Sequence, residues 1–344
     1  ARQIATDICN AVSDYRFVLK DKIFNIGISI GLVEISHTSG TLQDVMSAAD
    51  SACYMAKQQG RGQVHIYSAR DEAVARERGD IQWLRQLQTA LHEDGFELAV
   101  KSIIATSGKT ETGPAVEVLI RLPDAGGHTT DSAECLLPSE RYQMMPQIDR
   151  WVISTTLAKL TEHSDYLASS GASFAINLSG QSLGDDEILS FIEDEMESTG
   201  VPATSLCFEV TESAAVSNRK KAQTFINALR EKGCRFSLDD FGAGLSSFAY
   251  LKNFQVDTLK IDGSLIKDIE KDNVNITMVT SIIQIAQSLK LETIAEYVEN
   301  ARVLNILRDL EIDYVQGYGI AKPVPLEEIK QVTTNLSNET QAMP

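Results

Sequence analysis

Residues 206–262 read LCFEVTESAAVSNRKKAQTFINALREKGCRFSLDDFGAGLSSFAYLKNFQVDTLKID, and this stretch decides the fold. It contains three short apolar runs, Leu206–Val210, Arg235–Leu238 and Thr258–Ile261. Between the first two runs lies Lys220–Lys232, a segment of helical length with apolar residues three and four positions apart. Strands that alternate with helices in this way are typical of a parallel sheet covered by helices.

The same alternation extends on both sides of this stretch. The further apolar runs are Phe96–Val100, Val116–Ile120, Ser173–Asn177, Glu292–Ala295 and Asp313–Val315. Segments of helical length between the runs include Gln147–Thr161, Glu187–Ser198, Asn275–Leu289 and Ala301–Leu310. Eight strands in this order predict a TIM-like (β/α)8 barrel. The first two runs are joined by a Gly-containing loop without a helix, which predicts a hairpin and therefore one antiparallel strand.

The rest of the chain divides by pattern. Residues 1–68 read as a small α/β segment, with a strand candidate at Phe24–Val33 and a helix in which apolar residues recur from Leu42 to Cys53. Residues 69–93 are dense in charge and have Leu84, Leu87 and Leu91 at helical spacing, which predicts a linker helix. We therefore expect an α/β segment (1–68), a linker helix (69–93), a barrel (94–334) and a tail (335–344).

Composition excludes some classes of function. The net charge of −17 argues against a groove for a nucleic-acid polymer, but a small phosphate ligand is compatible with it if metal ions supply positive charge. No apolar stretch approaches membrane length, so we expect no membrane contact from this chain. The five scattered cysteines indicate a reducing, cytoplasmic location. The start at Ala1 resembles neither an initiator nor a signal peptide, so we expect a fragment whose parent protein could carry a membrane anchor.

Polar side chains lie at or near the end of nearly every predicted strand of the barrel. They are Glu117, Asn177, Glu209, Glu212, Asp239, Asp240, Lys260, Glu296, Glu299 and Gln316. A single acid at such a place is more often a helix cap or a rim residue, but this explanation weakens when successive strands all carry one. A set of oxygen ligands without His or Cys favours Mg²⁺ or Mn²⁺. The sequence therefore predicts a metal site, with two ions suited to cleavage of a phosphodiester.

These residues resemble the EAL family of cyclic-di-GMP phosphodiesterases. The matching segments are Glu117–Arg121 (EVLIR), Asn177–Ser179 (NLS), Glu209–Glu212 (EVTE), Asp239–Gly244 (DDFGAG), Leu259–Gly263 (LKIDG), Ala295–Glu299 (AEYVE) and Gln316–Tyr318 (QGY). Seven motifs in the family order are highly specific, although any one of them would be a weak signal.

The resemblance implies that cyclic-di-GMP is hydrolysed to linear pGpG by an enzyme carrying Mg²⁺ or Mn²⁺. The implied metal ligands are Glu117, Asn177, Glu209, Asp239, Asp240 and Glu296. Among the implied catalytic residues, Lys260 assists the attacking water, Gln316 supports the metal-water network and Glu212 fixes the DDFG loop. The implied substrate-side residues are Arg121, Lys101 and Glu299. EAL barrels commonly dimerise, so a homodimer is a further expectation.

Residues 1–68 resemble the C-terminal half of a GGDEF domain. Ile28–Gly31 (ISIG) is similar to a strand of that family, and Ala49–Lys57 (ADSACYMAK) is similar to its helix. The GGDEF signature itself is absent from the sequence, so we expect no cyclase activity from this segment.

Departures from the EAL pattern lie on the ligand side. Lys101-Ser102 stands where the family usually has Gln-Pro, and Leu122 stands where many members have Trp. Two alternatives to a phosphodiesterase therefore remain at this point. One is a receptor that binds cyclic-di-GMP without cleaving it and signals to a partner protein. The other is a metal-dependent barrel enzyme of different specificity, such as a lyase that uses an enolate.

Overall fold

A computed structural model gives the fold of this chain. It describes residues 1–19, 22–25, 27–35, 42–58, 62–68, 80–106, 116–123, 129–130, 136, 139–140, 142–243 and 248–328. The chain divides into two compact units, Ala1–Gln88 and Thr89–Pro344. No helix within the described residues has the length and apolar character that crossing a bilayer requires.

The first unit is a small α/β arrangement. Its elements are α1 (Arg2–Asp14), β1 (Arg16–Leu19), β2 (Lys22–Asn25), β3 (Ile30–Leu32), α2 (Leu42–Gln58) and β4 (Val64–Ile66). Strands β1 and β2 pair antiparallel, whereas β3 and β4 pair parallel, with Ile30 opposite Val64. The prediction of one strand over Phe24–Val33 is wrong, because this run contributes to two separate sheets and residues 27–29 between them lie outside both strands.

Helix α3 (Asp80–His92) occupies the described part of the predicted linker, and residues 69–79 lie outside the described residues. The strands of the second unit are β5 (Glu97–Ser102), β6 (Ile104–Ala105), β7 (Val116–Pro123), β8 (Thr129–Thr130), β9 (Phe174–Leu178), β10 (Leu206–Thr211), β11 (Arg235–Phe241), β12 (Thr258–Ile261), β13 (Glu292–Ala295), β14 (Tyr314–Val315) and β15 (Val324–Pro325). Its helices are α4 (Met145–Thr161), α5 (Ser164–Ser170), α6 (Ile188–Thr199), α7 (Glu212–Ser217), α8 (Arg219–Lys232), α9 (Gly263–Ile266), α10 (Asn273–Leu289) and α11 (Ala301–Asp309).

The large sheet has the order β15-β5-β7-β9-β10-β11-β12-β13-β14-β6. Strands β7 and β9–β14 run parallel in sequence, and β5 is antiparallel to β7. Because β6 follows β5 after a single residue and pairs with β14, the sheet closes on itself. The predicted TIM-like barrel with one antiparallel strand is therefore confirmed. Strand β15, which pairs antiparallel with β5, was not predicted.

Aromatic packing fixes the helices on the outside of the barrel. The ring of Phe236 on β11 lies 5.8 Å from that of Phe208 on β10 and 6.1 Å from that of Phe225 on α8. In α8, the residues Ala222, Phe225, Ile226 and Leu229 are all buried. Their spacing places them on one helical face, so the sheet and the helix share this apolar layer. Burying each Phe side chain stabilises the fold by about 1.5–3 kcal/mol.

Helix α4 anchors the loop that follows β9. Asp149 is buried, and its Oδ2 accepts hydrogen bonds from Ser179 N (2.9 Å) and Ser182 Oγ (2.6 Å). Burial raises the pKa of Asp149 to about 6, although both serines oppose this increase. The anchored loop begins directly after Asn177 and Leu178, so Asp149 fixes the end of β9, where Asn177 lies.

We predict that Asp149→Ala lowers the free energy of unfolding by about 2–4 kcal/mol, because the Ser179 amide and the Ser182 hydroxyl both lose their buried acceptor. Urea unfolding would measure this change. Asp149→Asn is the matched control, since its amide oxygen can replace Oδ2 and the loss should be much smaller. Equal destabilisation by the two substitutions would contradict the assigned anchoring role.

Candidate active site

A fully buried lysine lies at the centre of the polar cluster. The Nζ atom of Lys260 is 2.6 Å from Glu209 Oε2, 3.0 Å from Glu296 Oε1, and 3.3 Å from the nearest oxygens of Glu117 and Asp239. These five residues come from β7, β10, β11, β12 and the end of β13. Four carboxylates around one ammonium group leave a formal charge of −3 in the barrel.

Two amide side chains complete the cluster. Gln316 is fully buried, and its Nε2 donates to Glu296 Oε1 (2.6 Å) and Glu117 Oε2 (3.2 Å). Asn177 Nδ2 donates to Glu117 Oε1 at 3.0 Å. Glu117 therefore accepts hydrogen bonds from Gln316, Asn177 and Lys260, which together fix its carboxylate plane.

An irregularity in β11 brings two consecutive acids to the same site. Leu238 pairs with Leu259, and Phe241 pairs with Ile261, so Asp239 and Asp240 together oppose Lys260. Two residues against one is the geometry of a β-bulge, which interrupts the alternation of side chains along the strand. Asp240 has a φ of 54°, a left-handed conformation that Asp tolerates better than most residues. Asp240 N donates to Asp239 Oδ1 at 2.9 Å.

The loop after this bulge is held by Glu212. Glu212 Oε2 accepts from Gly242 N at 3.3 Å, and Oε1 accepts from the hydroxyl of Tyr250. Gly242 has a φ of 95°, which an L side chain rarely adopts, and a Cβ there would lie 2.8 Å from Leu265 Cδ1. Residues 244–247 lie outside the described residues, but both ends of the loop are fixed by these contacts.

Burial and the shared lysine shift the pKa values in opposite directions. Burial alone would raise the pKa of Glu117, but Lys260 and Lys101 outweigh it and lower the pKa to about 2. Burial raises the pKa of Glu296 to about 7 and that of Glu209 well above its usual range, despite the attraction of Lys260. Burial opposes the charged form of Lys260, yet the surrounding carboxylates raise its pKa well above the usual value.

The donor set fits hard divalent cations. Glu117, Glu209 and Asp239 each offer an oxygen within 4.8 Å of the others, and so do Asp239, Asp240 and Glu296. Glu209 Oε1 is buried without a hydrogen-bond partner among the described residues, and a coordinated cation would satisfy such an oxygen. Oxygen ligands alone are the preference of Mg²⁺, Mn²⁺ and Ca²⁺. Asp239 belongs to both groups, so it is placed to be shared by two ions.

The predicted substrate-side residues occupy different places. Lys101 lies opposite Glu117 in the β5–β7 register and is half-buried. Arg121 is buried on β7, donates to Ile120 O at 3.0 Å, and lines a cavity of about 430 Å³ together with Trp151. Glu299 is exposed, and within the described residues its side chain makes no hydrogen bond or ion pair with the carboxylate cluster. Their roles toward a substrate stay predictions.

Three residues near the site were missed from the sequence. Tyr250 bonds Glu212, and Lys267 approaches the ring of Tyr297, which directly follows Glu296. Tyr297 occupies the variable position of the AEYVE segment, so the motif gave its place but not its contacts. No spacing rule connects Tyr250 with Glu212, because the loop between β11 and β12 decides that contact.

The EAL domain family matches residues 84–323 of this sequence, which include every member of the carboxylate cluster. The chain belongs to the EAL domain family. The EAL match covers most of the second unit, and the motifs that predicted the cluster lie within it.

Two curated proteins are similar in sequence to most of this chain. "Cyclic di-GMP phosphodiesterase PdeB" from Shewanella oneidensis is 33% identical over 311 residues, which are 90% of this chain and 36% of that protein. "Cyclic di-GMP phosphodiesterase PdeF" from Escherichia coli is 34% identical over 268 residues, 78% of this chain and 34% of that protein. The chain thus spans about a third of the length of these curated relatives.

A solved structure supports the fold. The FimX EAL domain from Pseudomonas aeruginosa, bound to c-di-GMP, has a TM-score of 0.63 and 28% sequence identity. The similarity covers 70% of this chain and 96% of that domain.

We predict that the stability of the metal-free protein falls as the pH rises from about 5 to about 7.5. The folded state retains protons on Glu296 (pKa about 7), Asp240 (about 6) and Asp149 (about 6), which unfolded carboxyl groups have already lost. The folded state therefore binds more protons in this window, and raising the pH favours unfolding.

Thermal unfolding in EDTA would show this slope. Added Mg²⁺ should stabilise the protein increasingly as the pH rises, because cations and protons compete for the same carboxylates. A flat pH profile in EDTA, or stabilisation by Mg²⁺ that is largest at low pH, would contradict the assigned ionisation.

Proposed function

We propose that this chain hydrolyses one phosphodiester bond of cyclic-di-GMP and releases linear pGpG, with Mg²⁺ or Mn²⁺ as the cofactor. The observation that carries the proposal is the buried cluster around Lys260, in which carboxylates on or directly after four strands converge within a domain of the EAL family. The phosphodiesterase names of PdeB and PdeF support the reaction. The c-di-GMP bound to the FimX EAL domain supports the ligand.

Each group of ligands has a distinct place in the proposed mechanism. Glu117, Glu209 and Asp239 would hold one ion, while Asp239, Asp240 and Glu296 would hold the second. Asn177 completes the proposed ligand set, and Gln316 orients Glu117 and Glu296 by donating hydrogen bonds to both. Bound ions would supply an activated water and positive charge for the phosphate oxygens.

Lys260 contributes a fixed positive charge. Its raised pKa keeps the ammonium group protonated, so it is better suited to stabilising negative charge than to accepting a proton. Because its Nζ is 2.6 Å from Glu209 and fully buried, the charge cannot move away from the reaction centre. We propose that the positive charge of Lys260 assists the attacking water and stabilises the negative charge that develops on the phosphate.

Glu212 acts through the backbone in this proposal. By accepting from Gly242 N and from Tyr250, it fixes the turn that follows Asp239 and Asp240. On the substrate side, we propose that Arg121, Lys101 and Glu299 contact the dinucleotide. These contacts would determine affinity, whereas the carboxylate cluster determines the type of chemistry.

We also propose that residues 1–68 are the C-terminal part of a GGDEF-like domain, joined by residues 69–93 to a barrel over 94–334 and a tail over 335–344. The similarity to PdeB supports a shared segment before the barrel, since its 311 aligned residues are more than the EAL match over 84–323 and the residues after it can supply. The parallel pair β3–β4 beside α2 is compatible with half of an α/β domain. Without the GGDEF signature, this part has no cyclase activity in the proposal.

We predict that Glu117→Ala and Asp239→Ala abolish product formation, because each removes a ligand from the cluster. Lys260→Ala should leave a folded protein whose turnover is lower by about 10²- to 10⁴-fold. Chromatography of cyclic-di-GMP and pGpG in Mg²⁺, in Mn²⁺ and in EDTA would measure these effects. Glu231→Gln changes an exposed acid on α8 and is the control that should retain full turnover.

Normal turnover in any of the three cluster variants would refute the role given to that residue. Tight binding of cyclic-di-GMP by the unchanged protein without product in either metal would instead identify a receptor.

We further predict that Ca²⁺ inhibits hydrolysis when it is added at constant Mg²⁺. Ca²⁺ accepts the same oxygen ligands but has longer bonds and a less regular geometry, which suits displacement at phosphorus poorly. The measurement is pGpG formation against Ca²⁺ concentration. An increase in rate with Ca²⁺ in place of Mg²⁺ would contradict the proposed metal chemistry.

A further inference from the structure

Tyr297 has an unusual backbone conformation at the edge of the carboxylate cluster. It directly follows Glu296, and its φ of 53° lies in the left-handed region, which is unfavourable for a residue with a Cβ. Its side chain is 47% exposed. A bulky residue held in this conformation beside a reactive site is a common sign of a functional constraint.

The ring of Tyr297 lies directly on the backbone of Gly263. A Cβ on Gly263 would be 2.0 Å from Cδ2 of this ring, so the close approach requires glycine there. Gly263 begins α9, and Lys267 directly follows that helix. The Nζ of Lys267 lies 4.3 Å from the centroid of the Tyr297 ring, and the Nζ of Lys101 lies 5.9 Å from it. One aromatic ring thus contacts two ammonium groups, an arrangement stabilised by cation–π attraction.

The three residues belong to elements that also carry the cluster. Lys101 lies opposite Glu117 in the β5–β7 register, and Lys267 follows the strand of Lys260. Tyr297 follows Glu296. Lys101, Tyr297 and Lys267 therefore form a cationic rim beside the carboxylates, and we call these three residues the lysine rim.

We propose that the lysine rim binds the phosphate of cyclic-di-GMP that is not cleaved, with Tyr297 as the positioning residue for both lysines. This inference rests on the proposed function. A cyclic dinucleotide carries two phosphodiester groups, and the carboxylate cluster with its cations accounts for one. The other would meet the field of a chain with a net charge of −17, unless local cations neutralise it. Lys101 and Lys267 supply such charges, and ammonium groups are strong donors to phosphate oxygens.

The test compares two exposed lysines in the segment between α9 and α10. Lys267→Met removes a charge of the lysine rim, whereas Lys271→Met removes a charge that pairs with Asp268 at 3.9 Å. Titration of cyclic-di-GMP in Ca²⁺ should give a Kd raised about 5- to 20-fold for Lys267→Met and unchanged for Lys271→Met. In Mg²⁺, the KM should rise by a similar factor with kcat retained, because the scissile phosphate is bound elsewhere.

A substrate with a single phosphate separates the lysine rim from the cluster. Bis(p-nitrophenyl) phosphate contains one phosphodiester group, so Lys267→Met should leave its hydrolysis unchanged. An equal loss on both substrates would place Lys267 at the cleaved phosphate and overturn the proposal.

Variants of Tyr297 test the positioning role. Tyr297→Phe keeps the ring and should bind cyclic-di-GMP as the unchanged protein does. Tyr297→Gly relieves the left-handed conformation but removes the ring, so the Kd should rise while stability is maintained or increased. In the double variant with Lys267→Met, the losses should be less than additive, because the ring acts through this lysine.

The outcomes distinguish this inference from the proposed function. If the unchanged protein hydrolyses cyclic-di-GMP but Lys267→Met and Lys271→Met bind it with equal Kd values, the role of the lysine rim is overturned. The proposed phosphodiesterase activity would then still hold. Fully additive losses in the double variant would overturn the positioning role of Tyr297. If the unchanged protein neither binds nor hydrolyses cyclic-di-GMP, both the proposed function and the lysine rim are overturned.

Discussion

The buried ammonium group of Lys260 is the constraint on which the arrangement of the carboxylate cluster depends. Four carboxylates from separate strands surround it, so its removal would leave several buried acids without their main counter-charge. Burying a lysine there carries a desolvation penalty. The surrounding carboxylates offset this penalty because they lie within hydrogen-bond distance of Nζ. The excess of carboxylates over ammonium groups suits the site to binding cations. The same carboxylates thus interact with Lys260 in the folded protein and are placed to hold metal ions.

Departures from regular backbone geometry concentrate where this cluster needs them. A continuous strand would direct Asp239 and Asp240 to opposite faces of the sheet, whereas the bulge in β11 lets both face the cluster. Asp240 and Tyr297 are both left-handed, and each is adjacent to a cluster residue. The surrounding contacts hold these conformations: Glu212 fixes the loop after β11, and Gly263 makes room for the tyrosine ring. The strained backbone conformations thus lie beside the carboxylate cluster, and contacts from neighbouring elements hold them in place.

The barrel and most of the carboxylate cluster could be predicted from the sequence, because both follow from the order of strands and helices along the chain. Alternating strands and helices predicted the topology, and polar residues within or directly after the strands predicted Glu117, Glu209, Asp239 and Glu296. Other contacts depend on which loops meet. The bond between Asp149 and the loop after β9 crosses from helix to loop, and no periodicity reveals it. The apolar character of Phe24–Val33 predicts one strand, but β2 pairs with β1 and β3 pairs with β4, and the sequence pattern does not reveal these different partners.

Charge balance connects the cluster with its rim. In the proposed function an acidic chain binds a dianionic ligand, so the positions of its cationic side chains matter, because nearby carboxylates repel that ligand. The buried cluster would hold metal ions at one phosphate in this proposal. At the edge, Lys101 also lowers the pKa of Glu117, so a single lysine affects both the ligand set and the rim. Lys101 thus acts on the carboxylate cluster through Glu117, and its Nζ also lies 5.9 Å from the ring centroid of Tyr297 in the lysine rim.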